Sequence, residues 1–192
     1  MSITKFEPDT KYSYRDYLRW NDDQRWELID GIPHNMTPAP STKHQIILRE
    51  LLVEFAVYLR GKPCEVFGAP FDVRLSASEQ NEEIFNVVQP DISVVCDKKK
   101  IDEKGCKGAP DLIVEILSPS TAKKDKATKK KLYETYGVKE YWVLDPLNEN
   151  IEVFVLNEAK YGESQIYGKD DQLKVSIFED LTIDLDSIFG KE

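Results

Sequence analysis

The spacing of apolar residues changes period several times along this chain, and each change marks an element. Tyr14, Tyr17 and Leu18 recur at helical spacing behind Ser13, a good N-cap, and predict a short helix from Ser13 to Trp20. RWELIDGIPHNM then reads as a hairpin turning at Asp30-Gly31, with Trp26, Leu28 and Asp30 on one face of its first strand and Glu27 and Ile29 on the other. After the proline-rich connector TPAPST, Ile47, Leu48, Leu51, Leu52, Phe55 and Leu59 form one stripe of a long helix. Ser41 or Thr42 caps it, and Gly61 with Pro63 ends it. CEVFGAPFDVRLS gives one strand interrupted near Gly68-Ala69-Pro70, or two strands joined there. VQPDISVVCD and APDLIVEILSPS are strands rich in Ile, Val and Leu, each opened by Pro-Asp, which suits the start of a strand and not its interior. A helix from about Lys124 to Tyr136 stops at Gly137, YWVLDP and NIEVFVLN flank a turn at Pro146-Leu147-Asn148, and the C-terminal stretch suggests a further hairpin and a short final segment. This order predicts an α/β (α+β) fold with a mixed central β-sheet flanked by helices.

Composition narrows the picture. At 192 residues, 41% hydrophobic and 32% charged, the chain suits one globular domain across 1–192 with a sizeable core. No run approaches the roughly 18 apolar residues of a membrane span. The start, MSITKFEPDTKYSYRDYLRW, lacks the pattern of a signal peptide, so a cytoplasmic location is expected. Cys64, Cys96 and Cys106 are odd in number and form no CxxC pair, and His34 and His44 are the only histidines, so neither a zinc site nor a disulfide framework is expected. The net charge of -9 argues against polyanion binding by the whole surface, but leaves room for a local patch such as the lysine cluster at 123–131.

The candidate chemistry lies between Val88 and Leu132. Period-two alternation puts Asp111, Ile113, Glu115 and Leu117 on one strand face and Leu112, Val114 and Ile116 on the other. Glu115 is therefore mid-strand among apolar neighbours, where an ionised carboxylate needs a cation or hydrogen-bond donors. On the following helix, at roughly 100° per residue, Asp125 and Lys129 fall within the stripe of Leu132, Tyr133 and Tyr136, whereas Lys130 and Lys131 point away. Lys129 is expected to face the sheet; the alternative is one solvated lysine face. Asp91, Glu115 and Lys129 together make chemical sense. Two carboxylates on adjacent strands suit a hard cation, Mg²⁺ or Mn²⁺, which acidifies water, and a nearby ammonium steadies charge on a phosphoryl oxygen. Glu27 by itself reads as an exposed residue on an edge strand. His44, in the first turn of the long helix, is expected to be neutral and reads first as a structural residue.

Pro90-Asp91 followed by Glu115-Ile116-Leu117 resembles a variant of the PD-(D/E)XK nuclease signature. WELIDG, the His44 helix, QPDISVV, GAPDLIVEILSPST, the Asp125/Lys129 helix and YGVKEYWVLDP together resemble the Uma-type restriction endonuclease-like family, found mostly in bacteria; the likeness runs from roughly Tyr12 to Leu185. It implies a restriction endonuclease-like core and a Mg²⁺-dependent (or Mn²⁺-dependent) endonuclease acting on nucleic acid, DNA in the first place, with a homodimer and no membrane partner expected. It further implies Asp91 and Glu115 as metal ligands, Glu27 as an additional site carboxylate and ligand, and Lys129 as the catalytic lysine. The superfamily's usual lysine position, two residues after the glutamate, is Leu117 here. His44 matches a recurring histidine near the scissile phosphate or in support of the site, and Asp125 would hold Lys129 through an i, i+4 pair. Asp111 reads as structural, with Ser120 or Thr121 as the helix cap. The alternative is a nuclease-fold binding or assembly module without catalysis. A glycosidase acid/base pair using Glu115 is a more distant reading, since no sugar-binding aromatic platform is apparent.

Overall fold

The computed structural model describes residues 6–36, 40–78, 80–118 and 122–190, the side chains of 122–126 excepted. In chain order the elements begin with α1 (Tyr14–Tyr17), β1 (Trp26–Ile29), β2 (Ile32–Asn35), α2 (Thr42–Leu59), β3 (Glu65–Gly68), β4 (Val73–Arg74), β5 (Val87–Val88), β6 (Ile92–Val95), β7 (Ile101–Asp102) and β8 (Gly105–Lys107). They continue with β9 (Leu112–Ile116), α3 (Ala122–Tyr136), β10 (Glu140–Asp145), β11 (Asn150–Asn157), β12 (Lys160–Tyr161), β13 (Gln165–Gly168), β14 (Gln172–Lys174), β15 (Thr182–Asp184) and α4 (Leu185–Phe189). The fold is a mixed α+β arrangement, as the pattern predicts.

The main sheet runs β12-β11-β10-β9-β6-β3, with β13 also paired to β11. Only β9 and β10 are parallel, because α3 carries the chain back between them; the other pairs are antiparallel. The alternation along β9 sorts the two faces. Leu112, Val114 and Ile116 pack with Ile47, Leu51 and Phe55 of α2 and with Trp142, while Ile113 packs with Leu132 and Tyr133 of α3. Helices thus cover both faces, which is why β9, β10 and β6 read as nearly continuous apolar runs. Ser41 caps α2 as expected, its hydroxyl accepting the His44 N–H at 3.2 Å.

A second sheet, β2-β1-β5-β4-β8-β7, lies beside the first. The break at Ala69-Pro70, a cis peptide, is where the chain leaves the main sheet: β3 pairs with β6, and β4 with β5 and β8. CEVFGAPFDVRLS is therefore two strands. The C-terminal hairpin is β14–β15. Among the described residues no helix is long and apolar enough to cross a membrane.

The cysteine expectation needs one correction. Cys64 and Cys96 form a disulfide, with Cys106 left free and buried. Counting and spacing could not reveal it, because the pairing is made by strand register: Glu65 faces Val95, so the next positions outward meet. Asp111 is structural as expected, accepting the Cys96 N–H at 2.7 Å and pairing with Lys139 at 2.7 Å. The cap by Ser120 or Thr121 and the Asp125–Lys129 pair lie outside the described residues and side chains.

Candidate active site

Five elements, β1, α2, β6, β9 and α3, converge at the end of the β6–β9 pair. Asp91 lies just before β6, and the register Ile92↔Val114 brings it level with Glu115 on the neighbouring strand. Asp91 Oδ2 accepts the Ile116 N–H at 2.8 Å, which fixes the carboxylate against the strand that carries Glu115. His44 Nε2 lies 3.4 Å from the same oxygen, and His44 Nδ1 is buried without a hydrogen-bond partner among the described residues. The cap at Ser41 places this histidine in the first turn of α2.

Lys129 points inward and is 5% exposed, whereas Lys131 is exposed and Lys130 lies over the Phe154 ring. Its ammonium donates to Glu27 Oε1 at 2.8 Å and to Glu115 Oε1 at 3.0 Å. Glu27, which read alone as exposed, is 5% exposed and also accepts the Gln89 N–H at 3.0 Å. Its place is therefore that of a buried counter-ion to Lys129. All five expected site residues, Glu27, His44, Asp91, Glu115 and Lys129, come together.

Two neighbours were not picked out from the sequence. Tyr133 donates its hydroxyl to Glu115 Oε1 at 2.6 Å. It sits four residues after Lys129 on the same helical face, but in an apolar stripe a tyrosine looks like core. Gln89 interrupts the apolar run before Pro90, and its backbone N–H holds Glu27. That lone polar residue was the available signal.

The charges shape one another. The Glu115 carboxyl is pushed up to about 7: burial is the largest cause, Lys129 opposes it, and the Asp91 and Glu27 charges add to the rise. Burial alone would push the Lys129 ammonium toward neutrality, but Glu115 and Glu27 outweigh this and hold it well above the ordinary lysine value. Burial, reinforced by Glu115 and Glu27, keeps Tyr133 protonated as a donor.

The donor set can be judged for a cation. Among the described residues no group of three or more His, Cys, Asp or Glu side chains is arranged to hold a metal. Two carboxylates, Asp91 and Glu115, do lie side by side, and Mg²⁺ is commonly held by one or two carboxylates while keeping several waters. An all-oxygen pair fits a hard cation of that kind.

A mixed sheet covered by helices on both faces, with paired carboxylates and a buried lysine at one strand end, is the arrangement of the restriction endonuclease-like fold. Residues 14–186 match the Uma2 family, described as "Putative restriction endonuclease", and the chain belongs to that family. It is 29% identical over 154 residues to the uncharacterized protein slr1290 of Synechocystis sp., covering 79% of this chain and 77% of that one. A crystal structure from Anabaena variabilis ATCC 29413, described as "a putative nuclease belonging to DUF820", superposes with a TM-score of 0.74 at 20% identity, over 93% of this chain and 97% of the other. That likeness is one of fold.

Proposed function

We propose that this protein is a metal-dependent endonuclease that hydrolyses phosphodiester bonds in DNA, with Asp91 and Glu115 as the ligands of Mg²⁺ or Mn²⁺. The observation that carries the reading is the contact of Lys129 with Glu115 and Glu27. It supplies, from α3, the ammonium that the strand lacks at Leu117. Asp91 and Glu115 would hold the cation, and the chemistry it would supply there is an acidified water and neutralisation of charge on a phosphoryl oxygen. The chain's own groups prepare the place. Ile116 N–H and His44 orient Asp91; the Tyr133 hydroxyl and Lys129 orient Glu115. Glu27 holds the ammonium, which stays charged and can bear on a phosphate oxygen as negative charge builds there. Membership of a family described as "Putative restriction endonuclease" supports the substrate class.

Cleavage of supercoiled plasmid, single-stranded DNA and RNA with Mg²⁺, Mn²⁺ or EDTA tests this. Metal-dependent cleavage of DNA is expected in the wild type and its loss in Asp91→Ala and Glu115→Ala. Undiminished cleavage by both variants would refute the assignment.

One observation favours a second reading, a binding module without turnover: Glu115 Oε1 is already occupied by Lys129 and Tyr133, and no three-ligand cluster is present among the described residues. Calorimetry separates the two. No heat of binding at millimolar Mg²⁺ or Mn²⁺, together with no cleavage, would establish the module.

A further inference from the structure

Resting on the nuclease reading above, the geometry points to Arg25 as the residue that docks a backbone phosphate of the nucleic acid beside the Asp91–Glu115 centre. The site itself is a poor host for a polyanion. Among the described side chains, Glu27, Asp91 and Glu115 oppose one ammonium, that of Lys129, and it is already shared between two carboxylates. A phosphate approaching it meets net negative charge before any cation binds, on a chain whose formal charge is -9. A second cation, not already spent on a carboxylate, is needed near the entrance.

Arg25 meets that need. It precedes β1, and the β1–β5 register, Leu28↔Val87, carried outward sets position 25 level with Pro90, next to Asp91. The residue is exposed, yet its guanidinium is held: Nε and Nη2 donate to Gln89 Oε1 at 3.0 and 2.7 Å. Gln89 is 8% exposed and is itself locked, its Nε2 donating to Asp72 Oδ1 at 2.8 Å and to the Tyr17 hydroxyl at 3.2 Å. The anchor is an amide oxygen, which orients the guanidinium without a direct ion pair; the buried Asp72 behind Gln89 lies within electrostatic reach of it but makes no contact with it. Among the described residues no carboxylate lies within ion-pair distance of Arg25, and its Nη1 has no acceptor. An oriented, solvent-facing fork with donors to spare is what binds phosphate oxygens well. The same Gln89 gives its backbone N–H to Glu27 at 3.0 Å, so the docking arginine and the catalytic lysine's counter-ion are set by one residue.

Anisotropy of a short labelled DNA duplex and of the matching single strand, in Ca²⁺ and in EDTA across a salt series, reads this directly and needs no turnover. Arg25→Ala is expected to weaken binding about five- to tenfold and to reduce the slope of log K against log salt by about 1, with the thermal midpoint and calorimetric Mg²⁺ binding unchanged. Arg25→Lys should keep the slope but recover only part of the affinity, since a lysine cannot form the fork on Gln89. Unchanged affinity and slope in Arg25→Ala would overturn the assignment. So would an equal loss of metal binding or of thermal stability, which would make Arg25 a scaffold residue acting through Gln89. If cleavage is never seen but the salt slope depends on Arg25, the docking role stands and only the catalytic reading fails.

Discussion

Lys129→Met keeps most of the volume of the buried stem and removes its charge. In the native protein the Lys129 side chain is 6% exposed and contacts two carboxylates, Glu27 and Glu115, that are 7% and 14% exposed. Removing one partner of a buried ion pair costs about 3–5 kcal/mol, because the other is left desolvated. Here two carboxylates are left, so the native protein should take up a proton instead of holding both ionised. The sign follows from Glu115. Its folded value, about 7, lies above the ordinary glutamate value, so the folded state holds more protons than the unfolded state between the two. Its contribution is most favourable at low pH and is lost as pH rises toward 7. Lys129, raised well above its ordinary value, contributes stability that persists until pH passes the unfolded lysine value, so its ammonium stays charged throughout the tested range, while Glu115 ionises only as pH rises through about 7. Without Lys129 the Glu115 value climbs further, and the deficit should grow from about 1 kcal/mol near pH 5 to about 3–5 kcal/mol at pH 8.5. Urea unfolding in EDTA at both pH values, followed by tryptophan fluorescence with the fully buried Trp142 as a reporter, measures this. Adding Glu115→Gln to the Met variant should restore part of the loss at pH 8.5. A deficit independent of pH, or one under about 1 kcal/mol at pH 8.5, would refute the buried-triad argument.

Other consequences are local. Glu140 is fully buried and accepts the Trp142 Nε1–H at 2.8 Å and the Ile177 N–H at 3.0 Å; Glu140→Ala strands both donors and should cost about 2–4 kcal/mol by chemical denaturation. The Cys64–Cys96 bond closes a sequence separation of 32, so Cys64→Ala with Cys96→Ala should lower stability by about 2–4 kcal/mol relative to the oxidised protein, and adding a reductant should then have little further effect. Ser41→Ala removes the cap of the His44 helix and should cost about 1 kcal/mol. At Gly105, φ is +120° and an added Cβ would fall 2.1 Å from the Asp72 carbonyl oxygen, so Gly105→Ala should cost more than about 2 kcal/mol or prevent folding, readable as loss of the thermal transition.

What could be read from the sequence was what local period controls. Alternation along LIVEI put Glu115 on the face opposite Leu112 and Val114, and the short stripe of α3 turned Lys129 inward, away from Lys131; both directions hold in the structure. What could not be read depends on partners distant along the chain. Glu27 looked exposed because its own strand is short and its cation lies 102 residues away. The Cys64–Cys96 pairing follows from β3–β6 register, and the departure of β4 into a second sheet follows from its pairing with β5 and β8. Tyr133 and Gln89 were missed for another reason. Each has an ordinary local explanation, as a core aromatic and as a polar interruption, and only the three-dimensional neighbourhood gives them a carboxylate to hold.

The lysine's place on a helix also changes what it does for the fold. Glu27 belongs to β1 in one sheet and Glu115 to β9 in the other, so the Lys129 ammonium joins two sheets through their charged ends. A lysine at position 117 could not do this in the same way, because that position follows β9 and Leu117 packs into the apolar cluster beneath α3. The helical position therefore couples the charge balance of the site to the seating of α3 between the sheets. Restoring the superfamily pattern by Leu117→Lys in the Lys129→Met background tests that coupling. It should bring back little stability, since it buries a second charge in an apolar cluster and leaves Glu27 without its partner. Full recovery of both stability and metal-dependent cleavage would show that the two lysine positions are interchangeable and that Lys129 has no role in joining the sheets.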